Sequence, residues 1–152
     1  VWIRAQSLAL GYWRQGALLP LVDPQGWFHT RDRGVMEQGE LRIIGRLDNL
    51  FFSGGEGIQP EDIERVLAAH PQILQVVVVP VNDAEFGQRP VAVIDSEQPL
   101  LLEELLAWSQ DRLVNFQRPM ALLPMPNALK AGGIKISRRQ LQQWVAEQIS
   151  IE

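Results

Sequence analysis

The sequence predicts an α+β fold, with helices packing short sheets over residues 48–152 and a β-rich segment over 1–47 before them. Three observations carry that expectation. Residues 1–44 hold short β-prone segments broken by Gly and Pro turns, with no helical periodicity. From residue 45 the character changes, and apolar residues recur at helical spacing in three separate stretches. Between those stretches lie β-branched runs, the longest at 73–81, of the kind a buried strand requires.

Taken in order, segments 1–5, 27–29 and 41–44 read as the strands of the first part. A helix is expected over 60–69. Pro60 suits its first turn, Glu61 and Asp62 complement the positive end of the dipole, and Ile63, Val66 and Leu67 share a face. His70 and Pro71 end it. Strands follow at 73–81 and 91–94, then a helix over 102–113 whose stripe is Leu102, Leu105, Leu106, Ser109 and Leu113. Residues 121–123 make a third strand. The last helix, 137 to about 148, opens on a capping-box pair, Ser137 with Gln140, and buries Leu141, Trp144 and Val145.

Composition narrows the function. In 152 residues, 46% are hydrophobic and 21% charged, as in a folded globular chain. The net charge of −4 argues against nucleic acid as a partner. The apolar run 73–81 falls far short of the roughly 20 residues of a membrane span. With no cysteine there is neither a disulfide nor a thiolate metal site, which suits the cytoplasm. No signal-peptide layout is present at Val1, and the chain is expected to begin inside a longer one. His29 and His70 lack metal-ligand or triad spacing, and no metal site is expected.

The densest stretch is GRLDNLFFSGGEGIQPEDIE, residues 45–64. Gly54, Gly55 and Gly57 free the backbone for positive φ or close approach by another molecule. A hairpin turn accounts for a Gly-Gly pair as well. A phosphate cradle is excluded, because Glu56, Glu61 and Asp62 set negative charge where the anion would sit.

A second unusual stretch is GGIKISRR, residues 132–139. Lys135 stands just before a helix N-terminus, beside Arg138 and Arg139, where both the dipole and the neighbours disfavour a cation. It is either a solvated surface lysine or one placed there for chemistry. A third stretch, WFHTRDRG at 27–34, sets Asp32 between Arg31 and Arg33, an arrangement that also suits a plain surface ion pair.

Together these stretches resemble the adenylate-forming superfamily, which includes acyl-CoA synthetases, luciferases and peptide-synthetase adenylation domains. The resemblance runs along essentially the entire chain. It implies that residues 48–152 are a small mobile C-terminal lid and that 1–47 end a large N-terminal domain of the same chain. It implies an ATP-dependent acid–CoA ligase acting on an aromatic carboxylic acid, with ATP, Mg2+ and coenzyme A required and the 152 residues inactive by themselves.

Roles follow by the same resemblance. Lys135 contacts the acyl carboxylate and α-phosphate during adenylation, although Ile134 stands between glycine and lysine here. Asp32 accepts the ribose hydroxyls of ATP, with Arg46 assisting, and Asp48 is the hinge. Gly54, Gly55 and Phe86 line the pantetheine channel, while Phe116 and Arg118 meet the adenine ring and 3′-phosphate of coenzyme A. Core packing accounts for Phe86 and Phe116 as well. A non-catalytic α+β binding module, or an amino-acid adenylation domain, stays open beside the ligase.

Overall fold

A computed structural model describes residues 1–130 and 136–149 of the protein, which divides into two compact units, Val1–Asp48 and Asn49–Glu152.

The first unit is three antiparallel strand pairs. β1 (Trp2–Ile3) pairs with β4 (Phe28–His29), and Trp2 stacks on His29 with ring centroids 4.3 Å apart. β2 (Gly11–Arg14) pairs with β3 (Ala17–Pro20), and β5 (Asp32–Glu37) with β6 (Glu40–Arg46), with a bulge between Arg33 and Gly34. A 3-10 turn, Leu47–Asn49, leads out of the unit.

Two of these hairpins depart from the sequence expectation. The β2–β3 pair and strand β5 were not expected, because their turns lack the usual Asn-Gly or Asp-Gly signal. The turns are Gln15-Gly16 (φ +49° and +80°) and Gln38-Gly39 (φ +52° and +86°). Both central residues are left-handed, as a two-residue hairpin with the native twist requires, so each glutamine accepts a conformation that Asn or Gly adopts more readily. Large apolar side chains of this unit, Leu10, Trp13 and Met36 among them, face outward.

The second unit wraps helices around a three-stranded sheet. Hairpin β7 (Phe51–Ser53) and β8 (Glu56–Ile58) leads into α1 (Pro60–Leu67). β9 (Ile73–Asp83) and β10 (Gly87–Ser96) form a long antiparallel pair; β11 (Ala121–Pro124) lies parallel to β10, giving the order β11-β10-β9. Between them come α2 (Leu102–Ser109) and a 3-10 turn, Asn115–Gln117, and after β11 come α3 (Asn127–Lys130) and α4 (Arg138–Ile149). The α+β class is the one expected.

Alternation along the strands divides the core. Val78, Ala92 and Ile94 face Ile58, Ile63, Leu67 and Leu105 on the α1–α2 side. Val79, Val91 and Val93 face Leu141 and Val145 of α4 on the other. Burial on both faces explains the unbroken valine run. Pairing also lengthens β10 beyond the expected 91–94, since Gly87 opposite Asp83 continues the ladder through residues of low strand propensity. The expected helix 102–113 stops at Ser109, with Leu113 N–H still donating to the Ser109 carbonyl at 2.9 Å.

Candidate functional site

The glycine stretch forms a two-residue hairpin. Gly54 (φ +57°) and Gly55 (φ +88°) occupy the central positions of a type I′ turn joining β7 to β8. Gly54 donates its N–H to the Phe86 carbonyl at 2.9 Å, and a Cβ on Gly54 would lie 3.2 Å from the Phe86 ring. A Cβ on Gly55 meets nothing within 4 Å. Inside the fold, therefore, Gly55 is required only for its left-handed φ.

The loop opposite is set by Asp83, whose carboxylate accepts the N–H groups of Glu85 and Phe86, each at 2.9 Å. The bond from Phe86 is the main reason that carboxyl is held below its ordinary range. That loop aims Phe86 at a cavity of about 290 Å³ lined by Ser53, Phe86, Arg89, Asn115 and Phe116. Both rings are more than a third exposed, at 41% and 38%, which removes core packing as their explanation.

The cation at this cavity is Arg89, 5.6 Å from the centroid of the Phe86 ring. Sequence reasoning missed it; its only signal was a positive charge two residues past the Phe86-Gly87 turn. Arg118 turns elsewhere, donating to the carbonyls of Gln110 (2.9 Å) and Leu113 (3.3 Å) at the end of α2. The structure thus brings Gly54, Phe86 and Phe116 together and does not bring Arg118 to them.

A second cluster closes the first unit. Arg46 donates to Asp32 at 3.3 Å and to Asp48 at 2.9 Å, so the two carboxylates expected at the ribose and the hinge share one guanidinium. Asp48 takes a further bond from Arg31. The hydrogen bond from Arg46 is the main reason the Asp48 carboxyl is held below its ordinary range; desolvation opposes it, and the hydrogen bond from Arg31 adds to the lowering. Arg31 was read only as a flank of Asp32; its partner is Asp48, and its φ of +63° is unusual for a non-glycine residue.

Lys135 lies outside the described residues. The helix after it begins as expected, with Gln140 N–H on Ser137 Oγ at 3.4 Å. Arg138 does not add bare charge there. Its guanidinium grips Glu64 of α1 through both carboxylate oxygens, at 2.6 and 3.1 Å, and also donates to the Val78 carbonyl. Among the described residues no group of three or more His, Asp or Glu side chains could hold a metal ion, and no helix is long and apolar enough to cross a membrane.

Residues 62–130 match the family described as AMP-binding enzyme C-terminal domain. The chain is 60% identical over 147 residues to 2-succinylbenzoate–CoA ligase of Salmonella typhimurium, covering 97% of this chain and 32% of that protein. It is 58% identical over 148 residues to the Escherichia coli K12 protein of the same name, again covering 97% and 32%. Among solved structures it is similar to an E. coli MenE variant with bound OSB-AMS, with TM-score 0.88 and 57% identity over 97% of this chain and 32% of that one. It is also similar to o-succinylbenzoate CoA synthetase of Bacillus subtilis in complex with the acyl-adenylate intermediate OSB-AMP, with TM-score 0.76 and 26% identity over 93% and 29%. The chain spans about a third of the length of these relatives. Residues 62–130 thus carry the C-terminal domain of an AMP-binding enzyme, and the likeness to these relatives runs along 97% of the chain.

Proposed function

We propose that the chain is the C-terminal third of an AMP-forming acid–CoA ligase working in the cytoplasm, with 2-succinylbenzoate as the acid and menaquinone synthesis as the setting. The observation that carries the ligase reading is the cavity beside the glycine hairpin, where two exposed rings and one guanidinium converge. Stacking surfaces and a cation suit an adenine ring and phosphates, both carried by the nucleotide end of coenzyme A. The choice of acid and pathway is supported by the likeness to 2-succinylbenzoate–CoA ligases. Outward-facing apolar side chains in the first unit suit cover by a large N-terminal domain.

In the first half-reaction the acid's carboxylate attacks the α-phosphorus of ATP and pyrophosphate leaves. Lys135 neutralises charge on the reacting oxygens, and Asp32, oriented by Arg46, accepts the ribose hydroxyls. Magnesium enters with the triphosphate, and no residue of this chain is assigned to it. In the second, the second unit turns about Asp48 and the coenzyme A thiol attacks the acyl carbon, expelling AMP. Gly54 and Gly55 border the pantetheine path, Phe86 and Phe116 the aromatic end, and Arg89 meets phosphate. Arg118 fixes the loop that carries Phe116.

The test is a ligase in which this chain follows the first two thirds of the Salmonella relative. It is expected to release AMP with 2-succinylbenzoate, ATP and coenzyme A together. Absence of AMP, with the parent enzyme active, contradicts the reading. In that ligase Gly55→Asn separates backbone from passage, since asparagine suits a type I′ turn yet adds a side chain. Adenylation should persist while thioester formation drops about 10²-fold, the effect of a misplaced reactant. Equal rates of thioester formation in variant and parent would remove Gly55 from the passage. Arg89→Ala should raise the KM for coenzyme A about tenfold, the value of one charge-assisted contact. An unchanged KM would leave the phosphate without that partner.

A further inference from the structure

We infer, resting on the ligase reading above, that Asp83 is a positioning residue for thioester formation: its carboxylate fixes the turn that ties Phe86 to the glycine hairpin. Asp83 ends β9, and Gly87, its partner in the ladder, opens β10. Residues 84–86 bridge the two strands, and a loop that short has few backbone bonds of its own. The Asp83 side chain supplies them. Its Oδ1 accepts the N–H of Glu85 and the N–H of Phe86, each at 2.9 Å. A carboxylate that bonds the backbone two residues on builds a turn without help from the rest of the sheet. Gly87 closes that turn at φ +75°, where a side chain would be strained.

Phe86 is thereby held at both of its backbone groups, by two different turns. Its N–H goes to Asp83, and its carbonyl accepts the N–H of Gly54 at 2.9 Å. The contact is close as well as polar, since a Cβ on Gly54 would stand 3.2 Å from the Phe86 ring. One oxygen of Asp83 thus reaches the glycine hairpin through a single residue. Ser53 of that hairpin and Phe86 line the same cavity, so hairpin and ring are two walls of one opening. Backbone bonds in an exposed loop open readily unless something holds them. Without the Asp83 carboxylate the Phe86 peptide is free to turn, Gly54 loses its acceptor, and the two walls part. Glu85 stands exposed in the same loop, and its N–H, not its carboxylate, takes part in the turn. Adenylation, as assigned to Lys135, Asp32 and Arg46, uses neither wall.

Two readouts separate the tie between the turns from the ligase reading. The first is amide hydrogen exchange, followed by nuclear magnetic resonance on the 152-residue protein, which needs no catalysis. Asp83→Ala is expected to speed exchange at the Gly54 N–H about fivefold, the factor that one hydrogen bond is worth. Amides of the β9–β10 ladder should keep their parental rates. Asp83→Asn, whose side-chain oxygen can accept the same two N–H groups, should restore most of the protection. Glu85→Ala, which takes a charge from the same loop and leaves the bonds of the turn in place, should change nothing.

The second readout is the ligase in which this chain follows the first two thirds of the Salmonella relative. There Asp83→Ala should lower kcat for thioester formation from supplied acyl-adenylate about tenfold, less than misplacement by a full ångström brings. Pyrophosphate exchange should stay within about twofold of the parent. Asp83→Asn should recover most of the loss. A residue that merely stabilises the unit would slow both half-reactions together. Should Asp83→Ala unfold, Asp83→Ser gives the same comparison in smaller measure, because a hydroxyl makes this turn more weakly. Parental exchange at Gly54 in Asp83→Ala overturns the inference whatever the ligase does. Equal loss of both half-reactions, or no recovery in Asp83→Asn, overturns it as well.

Discussion

Lys135→Ala, placed in the full-length ligase described above, is expected to slow acyl-adenylate formation about 10²- to 10³-fold while sparing transfer of preformed acyl-adenylate to coenzyme A. Adenylation brings a carboxylate up to a polyanion, and negative charge accumulates on oxygens that no carboxylate of this chain can relieve. An ammonium group at those oxygens is worth most in that step. Thioester formation instead starts from a mixed anhydride and a thiol, and in the mechanism proposed above the glycine hairpin has by then replaced the lysine at the centre. Pyrophosphate exchange measures the first step, and thioester release from supplied acyl-adenylate the second. Equal loss in both would take the role away from Lys135 and make the substitution a general disturbance of the domain.

The two stretches behind that prediction were unequally legible. Helix α1 could be read residue by residue, because Pro60, Glu61, Asp62 and the Ile63–Leu67 face are local signals that packing did not override. The valine strand and the Ser137 cap were legible for the same reason. What escaped was whatever depends on a partner distant in sequence. Strand β10 grew because β9 lay beside it, and two hairpins formed on Gln-Gly turns whose left-handed glutamines carry no strong turn signal. Side-chain direction was the least legible of all. Arg118 and Arg89 are both arginines near an aromatic residue, yet the end of α2 captures one, and the Asp83 turn leaves the other beside Phe86. Arg138 was counted as positive charge near Lys135, and only the fold reveals Glu64, 74 positions away in sequence, as its counter-ion.

That pairing carries the largest expected effect on stability. Glu64→Ala should destabilise the second unit by about 2–3 kcal/mol, somewhat under the range for breaking a fully buried ion pair, since the side chains remain 24% and 17% exposed. The size reflects how many groups lose a partner at once. β9 is the edge of its sheet, and Val78 stands opposite Ala92 with its N–H and carbonyl directed away from β10. Glu64 accepts that N–H at 2.7 Å, and Arg138 donates to that carbonyl. The ion pair is therefore also the cover over the strand edge, tying α1, β9 and α4 in one place.

Removing Glu64 leaves the Val78 N–H unmatched and Arg138 with only the Val78 carbonyl and the longer Glu61 contact at 3.9 Å, so the melting temperature of the unit should drop by roughly 10–20 °C. Arg138→Ala should cost a similar amount and, by loosening the start of α4 three residues after Lys135, should slow adenylation as well. The double variant should cost less than the sum of the two, with a coupling of about 1–3 kcal/mol, because each single change already strands the other charge. It should not return to parental stability, since Val78 is left uncovered, and a bare edge should make the variant self-associate on partial unfolding. Thermal unfolding of the four proteins by circular dichroism closes the cycle. Strict additivity would mean that Glu64 and Arg138 act separately and that the edge of β9 is protected by something else.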